Sequence, residues 1–85
     1  MFNILYLSLN KNNYMSEIIA KQLKALRLKT GVSQREVAEE IGNIRVNYMN
    51  WENSYANPSY SDICKLADYF GVTTDFILNH KTVKK

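Results

Sequence analysis

A short segment near the middle of the chain carries side chains that can recognise hydrogen-bonding groups on another molecule. In a helix over this segment, Ile44, Tyr48 and Trp51 recur at i, i+4 and i+7 and should face the core. Arginine can donate two hydrogen bonds to guanine, asparagine can pair with adenine, and apolar side chains fit the thymine methyl group. We therefore predict base-contacting residues on the opposite face, although the same types are ordinary on a solvated helix. The candidates are Arg45, Val46, Asn47, Met49 and Asn50.

The residues before this segment predict a second helix, joined to the first by a tight turn. Ser33 and Glu36 form the pattern of a capping box, in which each side chain accepts a hydrogen bond from the other residue's backbone. Val37 and Ile41 share one face at helical spacing, and Gly42 can adopt the positive φ at which a helix ends. Two short helices across such a turn form a helix-turn-helix unit, whose second helix can lie in the DNA major groove. The flanking pattern therefore favours DNA contact over a solvated face.

The motif resembles a known family. The order Ser-Gln-x-Glu-x-Ala from Ser33, then Gly42, then Trp-Glu-Asn from Trp51, is similar to the Cro and repressor helix-turn-helix proteins of phages, also called the xenobiotic-response-element type. Leu-Ala and Phe-Gly-Val-Thr from Leu66 onward extend the resemblance to about three quarters of the chain. The resemblance implies sequence-specific binding of double-stranded DNA. It also implies that Arg45, Val46 and Asn50 occupy the usual base-contacting positions.

The resemblance further implies contacts to the DNA backbone. Gln34 begins the first helix of the unit, where an amide and free backbone N–H groups can meet a phosphate. Arg27 and Glu52 match a family pair in which the arginine, held by the glutamate, reaches the backbone; the alternative is a simple surface ion pair. The family often has glycine and a basic residue in the loop where this chain has Ser54 and Tyr55. The expected backbone-contacting residues are Arg27, Gln34, Asn53, Ser54 and Tyr55.

The turn of the unit departs from the family pattern. The family usually has a small apolar residue after the glycine and then serine or threonine, which caps the recognition helix. This chain has Asn43 and Ile44 at those positions. Asn43 can act as the cap instead, which would start the helix one residue early and draw Ile44 into the core. The register of the base-contacting residues is therefore open by about one residue.

Helix-capping signals predict an all-α, lambda-repressor-like domain of five helices over residues 16–79. Ser16 can cap a first helix that ends before Gly31, Ser59 can cap the fourth, and Thr73 can cap the last. Lys81 to Lys85 lie in a basic C-terminal tail over residues 80–85.

Residues 1–15 form an N-terminal extension outside the family pattern. The segment from Phe2 to Leu9 is rich in apolar side chains. One interpretation is that the domain starts at Met15 and that the first 14 residues do not belong to it. The other is an extended arm or edge strand that pairs with the same strand of a second chain about a two-fold axis. The second interpretation predicts that this arm reinforces a homodimer.

Composition argues against catalysis and membrane insertion. The 85 residues carry 11 basic and 8 acidic side chains, a net charge of +3 that permits a nucleic-acid partner without requiring one. Cys64 and His80 are the only cysteine and histidine, too few for a zinc site of the usual ligands. A lone cysteine fits a reducing compartment, so we expect a cytoplasmic protein. We expect no enzyme, no metal and no cofactor, and no apolar run approaches the ~18 residues of a membrane span.

We therefore predict a sequence-specific DNA-binding transcriptional regulator that acts as a repressor and binds a palindromic operator as a homodimer. The family's usual dimer surface lies on the last helix, which gives Phe76 and Ile77 as interface residues. A protein partner such as a toxin or an anti-repressor is also compatible with the sequence. The alternative from another class is a protein-interaction module, for example an antitoxin, that kept the fold and lost DNA binding.

Overall fold

Five helices account for the regular structure of the domain. The computed structural model describes residues 4–79, with side chains from Tyr14 onward. Over that range the chain is all-α, as predicted, and has no strand. In chain order the helices are α1 (Ile4–Thr30), α2 (Gln34–Glu40), α3 (Arg45–Glu52), α4 (Tyr60–Phe70) and α5 (Thr74–Leu78). None of the described helices is both long enough and apolar enough to cross a membrane.

Three of the predicted helix caps are confirmed. The Ser33 hydroxyl accepts a hydrogen bond from the Glu36 N–H at 3.0 Å, and the Ser33 N–H donates to Glu36 Oε1 at 2.7 Å. Ser59 caps α4 by accepting from the Asp62 N–H at 3.1 Å, and Thr73 caps α5 by accepting from the Phe76 N–H at 3.0 Å. Each cap satisfies a backbone donor that the helix itself leaves without a partner.

The core gathers one or more side chains from every helix. Leu23, Val37, Tyr48, Leu66 and Ile77 are fully buried and come from α1, α2, α3, α4 and α5 respectively. Trp51 packs edge-on against Tyr48, with ring centroids 5.9 Å apart. The burial of both aromatic rings confirms Tyr48 and Trp51, two of the three residues predicted for the inner face of α3. Aromatic pairs in this arrangement contribute about 0.5–1.5 kcal/mol beyond the area they bury.

The N-terminal extension differs from the prediction. Residues 4–15 belong to α1 and are not a strand, so the expected helix start at Ser16 is wrong. Ser16 lies inside the helix, where its hydroxyl donates to Asn57 Oδ1 at 2.7 Å. The physical reason is that no glycine or proline occurs before Gly31, and nothing in the backbone therefore stops the helix from continuing toward the N-terminus. The basic tail over residues 80–85, with His80, residues 1–3 and the side chains of residues 4–13 lie outside the described residues.

Candidate nucleic-acid interface

The turn between α2 and α3 fixes where the second helix begins. Gly42 has φ +73°, and the Asn43 N–H donates to the Ala38 carbonyl at 2.8 Å, closing α2 in a Schellman-type end. Asn43 therefore belongs to the end of α2, and the prediction that it caps α3 is wrong. Its Oδ1 instead accepts from the Ile44 N–H at 2.8 Å and from Asn47 Nδ2 at 2.7 Å. Ile44 stands at the cap position of α3 without a side-chain hydrogen bond.

The first turn of α3 is exposed and mixes polar with apolar side chains. Arg45, Val46 and Asn47, three of the five predicted base-contacting residues, are exposed in this first turn. Met49 and Asn50 are half-buried further along the helix. Ile44 is 61% exposed, which corrects the expectation that it enters the core. The sequence prediction therefore missed the exposure of Ile44. A signal for it was present, because Ile44 stands at the position where the family has the residue that caps the recognition helix.

The opposite end of α3 forms a buried, charged junction between three helices. Arg27 of α1 donates to both carboxylate oxygens of Glu52, from Nε to Oε2 at 2.7 Å and from Nη2 to Oε1 at 3.1 Å. Gln34 of α2 donates from Nε2 to Glu52 Oε1 at 3.1 Å. Arg27 also donates from Nη1 to the Val32 carbonyl at 3.2 Å. The Arg27 and Glu52 side chains are only 15% and 3% exposed, so the pair is not a simple surface ion pair.

Electrostatics keep this junction charged. Burial opposes ionisation of Glu52, but hydrogen bonds donated by Arg27 and Gln34 outweigh it and hold the pKa of Glu52 below its ordinary value. The hydrogen bond to Glu52 likewise raises the pKa of Arg27 against the effect of its own burial. Burial raises the pKa of the Tyr48 hydroxyl, and the neighbouring Glu52 carboxylate raises it further. At neutral pH the junction therefore contains a carboxylate, a guanidinium and a neutral phenol.

The loop after α3 exposes most of its side chains, although Ser54 is half-buried and Pro58 is buried. Asn53 is exposed and Tyr55 is 79% exposed. Ser54 has φ +65°, a left-handed conformation that favours glycine, which the family often has there. The Tyr55 N–H donates to the Asn50 carbonyl at 2.9 Å and holds the loop against the end of the helix. Gln34, Asn53, Ser54 and Tyr55 thus lie in or beside the segments that flank α3.

The predicted dimer residues occupy different environments. Phe76 is 49% exposed on α5, and Gln22 of α1 donates a hydrogen bond to its carbonyl at 2.6 Å. Ile77 is fully buried in the core of the chain, so of the two residues only Phe76 presents its side chain to solvent. The helical period explains the difference, because adjacent residues of a helix point about 100° apart. Among the described residues, no group of three or more metal-ligating side chains is gathered.

These features define a class of protein. A capped helix, a tight glycine turn and a second helix with an exposed first turn and a buried opposite face constitute a helix-turn-helix unit. A profile of the HTH_3 helix-turn-helix family matches residues 23–77. The chain belongs to this family, which is the Cro/C1, or xenobiotic-response-element, type inferred from the motif. The family consists of transcriptional regulators and not of enzymes.

Similar proteins agree with this assignment. The HTH-type transcriptional regulator ImmR of Bacillus subtilis is 34% identical over 67 residues, which cover 79% of this chain and 53% of ImmR. The SPbeta prophage-derived uncharacterized HTH-type transcriptional regulator YonR, from the same organism, is 34% identical over 61 residues, 72% of this chain and 56% of YonR. The chain therefore spans about half the length of these curated relatives.

Solved structures resemble the domain as well. A hypothetical transcription factor NHTF from Neisseria superposes with a TM-score of 0.71 at 28% identity, covering 75% of this chain and 74% of that chain. The SOS-response transcriptional repressor LexA from Eubacterium rectale superposes with a TM-score of 0.75 at 24% identity, covering 85% of this chain and 77% of that chain. The likeness to LexA is one of fold alone. The five-helix architecture is thus shared with transcription factors of known structure.

Proposed function

We propose that the chain binds duplex DNA in a sequence-specific manner and represses transcription as a homodimer on a palindromic operator. The observation that carries the proposal is the exposed first turn of α3, formed by Arg45, Val46 and Asn47 on a helix whose other face is buried. In helix-turn-helix proteins the N-terminal residues of the second helix contact base edges in the major groove. Two relatives named as HTH-type transcriptional regulators support the same function.

The side chains of α3 differ in the bases they suit. Arg45 has a free guanidinium fork for the O6 and N7 atoms of guanine. Asn47 donates one N–H to Asn43 and keeps its carbonyl oxygen and second N–H for adenine, and Asn50 offers the same chemistry further along the helix. Val46 and Met49 suit thymine methyl groups. The proposed site is therefore specific through polar and apolar contacts together.

The proposed backbone contacts flank this surface. Gln34 uses one N–H for Glu52 and has a second available to a phosphate, while Asn53, Ser54 and Tyr55 come from the loop after α3. Three donor groups of Arg27 are directed at Glu52 and Val32, so only its remaining N–H groups are available to DNA. Such contacts fix the register of the protein on the duplex and carry no sequence information.

The dimer is proposed from the energetics of a small module. One domain of this size buries about 600–1,000 Å² on DNA, and a second copy on an inverted half-site raises both affinity and specificity. The half-sites would then lie about one helical turn, or ~10 base pairs, apart. The exposed ring of Phe76 is the proposed centre of the interface, with Ile77 supporting it from the core. We also propose that the protein acts in the cytoplasm.

Selection from a random duplex library tests sequence specificity and symmetry together. The purified chain is incubated with the library, and bound duplexes are recovered and sequenced. We expect enrichment of two inverted half-sites whose centres are about 10 base pairs apart. Enrichment of a single unrepeated half-site would contradict the dimer, and no enrichment would contradict specific binding. A reporter gene under the selected site tests whether the protein lowers or raises transcription. Increased reporter expression would rule out repression.

A second candidate function is a protein-interaction module, in which an antitoxin-like or anti-repressor-binding surface replaces DNA contact. The observation that favours it is the apolar character of the exposed surface, where Ile44, Val46 and Tyr55 are 61%, 50% and 79% exposed. Exposed apolar side chains in one region are typical of protein-binding surfaces. A chain that enriches no duplex in the selection, yet binds a partner through Val46 and Tyr55, would establish this alternative.

A further inference from the structure

The proposed DNA surface has few positive charges of its own. After Arg45 the sequence has no lysine or arginine until Lys65, so α3 beyond its first residue and the whole loop after it contain no cation. Arg27, which lies nearby, has its guanidinium neutralised by Glu52. Affinity for a nucleic-acid backbone depends largely on lysine and arginine that displace counterions from phosphates. A duplex in contact with Asn53 and Ser54 therefore requires cations from another element.

The structure has such cations on α1, beside the same loop. An open groove of about 310 Å³ separates α1 from the end of α3, and its lining residues are Glu17, Ala20, Lys21, Lys24, Glu52 and Ser54. Lys21 and Lys24 are exposed and form no ion pair with any residue whose side chain is described. The groove contains two carboxylates. Because Glu52 is paired with Arg27, only the negative charge of Glu17 offsets the positive charges of the two lysines.

Two long-range contacts fix the walls of this groove. At one end the Ser16 hydroxyl of α1 donates to Asn57 of the loop at 2.7 Å, and Ser16 is only 8% exposed. At the other end Arg27 of α1 holds Glu52 at 2.7 Å. Ser16 and Arg27 are 11 residues apart on one helix, about 16 Å at ~1.5 Å per residue, and Lys21 and Lys24 lie between them. The backbone that carries both lysines is thus anchored beside the loop that contains Asn53 and Ser54.

We propose that Lys24, assisted by Lys21, binds the phosphate backbone of duplex DNA where the strand passes the loop at Asn53 and Ser54. This inference rests on the proposed function and adds the α1 wall to the DNA-binding surface. Lys24 supplies the charge that the loop lacks at Ser54 and Tyr55. Because phosphate contacts carry no sequence information, the two lysines strengthen binding to every sequence equally.

The test measures the salt dependence of DNA binding with matched charge changes. Anisotropy titrations use a fluorescent 20-base-pair duplex carrying the selected site and a second duplex of scrambled sequence, each at several salt concentrations. The variants are Lys24→Gln, the double variant Lys21→Gln with Lys24→Gln, and Lys24→Arg. The control is Lys65→Gln, which removes the same charge from α4, where Lys65 lines a different groove with Glu40 and Asp68. Thermal melting by circular dichroism verifies that each variant is folded.

We expect Lys24→Gln to reduce the slope of log K against log salt by about 0.9 on both duplexes, equivalent to a binding loss of about 5–10-fold at ~0.1 M salt. The double variant should reduce the slope further, Lys24→Arg should retain it, and Lys65→Gln should leave it unchanged. An unchanged slope in Lys24→Gln, or an equal reduction in Lys65→Gln, would overturn the inference while leaving the proposed function intact. Failure of the wild-type chain to bind either duplex at low salt would instead overturn the proposed function.

Discussion

At its N-terminal end α3 exposes Ile44, Arg45 and Val46 to solvent, whereas at its C-terminal end Trp51 and Glu52 are buried against the other helices. The exposed end has no side-chain cap, and the buried end is held by three side-chain hydrogen bonds to Glu52. A helix of eight residues is about 12 Å long, so these two environments lie close together. The difference separates two requirements: one end must be free to meet DNA, and the other must fix the direction in which the helix points.

This comparison assigns different effects to substitutions at the two ends. Changes at the buried end should alter the stability of the whole domain, because they leave cavities or unpaired charges. Changes at the exposed end that neither add nor remove a helix cap should alter binding with little effect on stability, because such surface substitutions usually stay within about 0.5 kcal/mol. A substitution that broke this separation would show that the two ends are not independent.

The largest effect is expected at Trp51. Trp51→Ala removes a 5% exposed aromatic side chain that packs edge-on against Tyr48. The lost burial and the cavity should destabilise the domain by about 3–5 kcal/mol, a large part of a total stability of about 5–15 kcal/mol. Urea denaturation followed by circular dichroism measures the loss. A variant that unfolds at the wild-type urea concentration and only fails to bind DNA would contradict the assignment of Trp51 to the core.

The next effect is expected at the charged junction. Glu52→Gln keeps the shape of the side chain but removes the charge that holds Arg27, and should destabilise the domain by about 1.5–3 kcal/mol. Because the pKa of Glu52 in the folded protein lies below its ordinary value, its contribution to stability is present above the pKa of the unfolded chain and is lost as the pH falls through the folded pKa. Wild-type stability should therefore decline in acid more steeply than that of Glu52→Gln. If the stability of the wild type and that of Glu52→Gln fell in parallel as the pH is lowered, Glu52 would not be ionised in the folded protein.

Local signals explain which parts of this architecture the sequence predicts. Ser33 and Thr73 cap helices because their partners are only three residues away, and the sequence displays both members. Ser16 and Asn43 are equally good capping types, but tertiary and turn contacts engage them differently: Ser16 bonds Asn57, 41 residues away, and the backbone of Asn43 closes α2. The junction of Gln34 with Glu52 spans 18 residues and has no local signature. Family resemblance identified the Arg27 and Glu52 pair, whereas its burial required the structure.

At the exposed end, Arg45→Ala should affect binding and not folding. Loss of a bidentate contact to guanine should weaken binding to the selected site by about 1–3 kcal/mol and relax the preference at one base pair. Thermal stability should be unchanged, because the side chain is exposed. The control is Asn53→Ala, which should weaken binding to all sequences by a similar factor. If Arg45→Ala weakened binding to selected and scrambled duplexes equally, Arg45 would be a backbone contact.

The smallest effect is expected at Ile44 and has the opposite sign. Ile44 occupies the cap position of α3 in an extended conformation, with φ −102° and ψ 153°, but has no side-chain oxygen to accept a hydrogen bond. Ile44→Ser supplies that oxygen without losing a buried contact, since Ile44 is 61% exposed, and should stabilise the domain by about 0.5–2 kcal/mol. Ile44→Ala is the matched control, because it shortens the side chain without adding a cap and should leave stability nearly unchanged. If both variants also lose preference for the same base pair, Ile44 makes an apolar contact to DNA at the position where a stabilising cap would fit. The exposed end of α3 is then adapted to binding at the expense of stability. Destabilisation by Ile44→Ser would show instead that Ile44 packs against the domain.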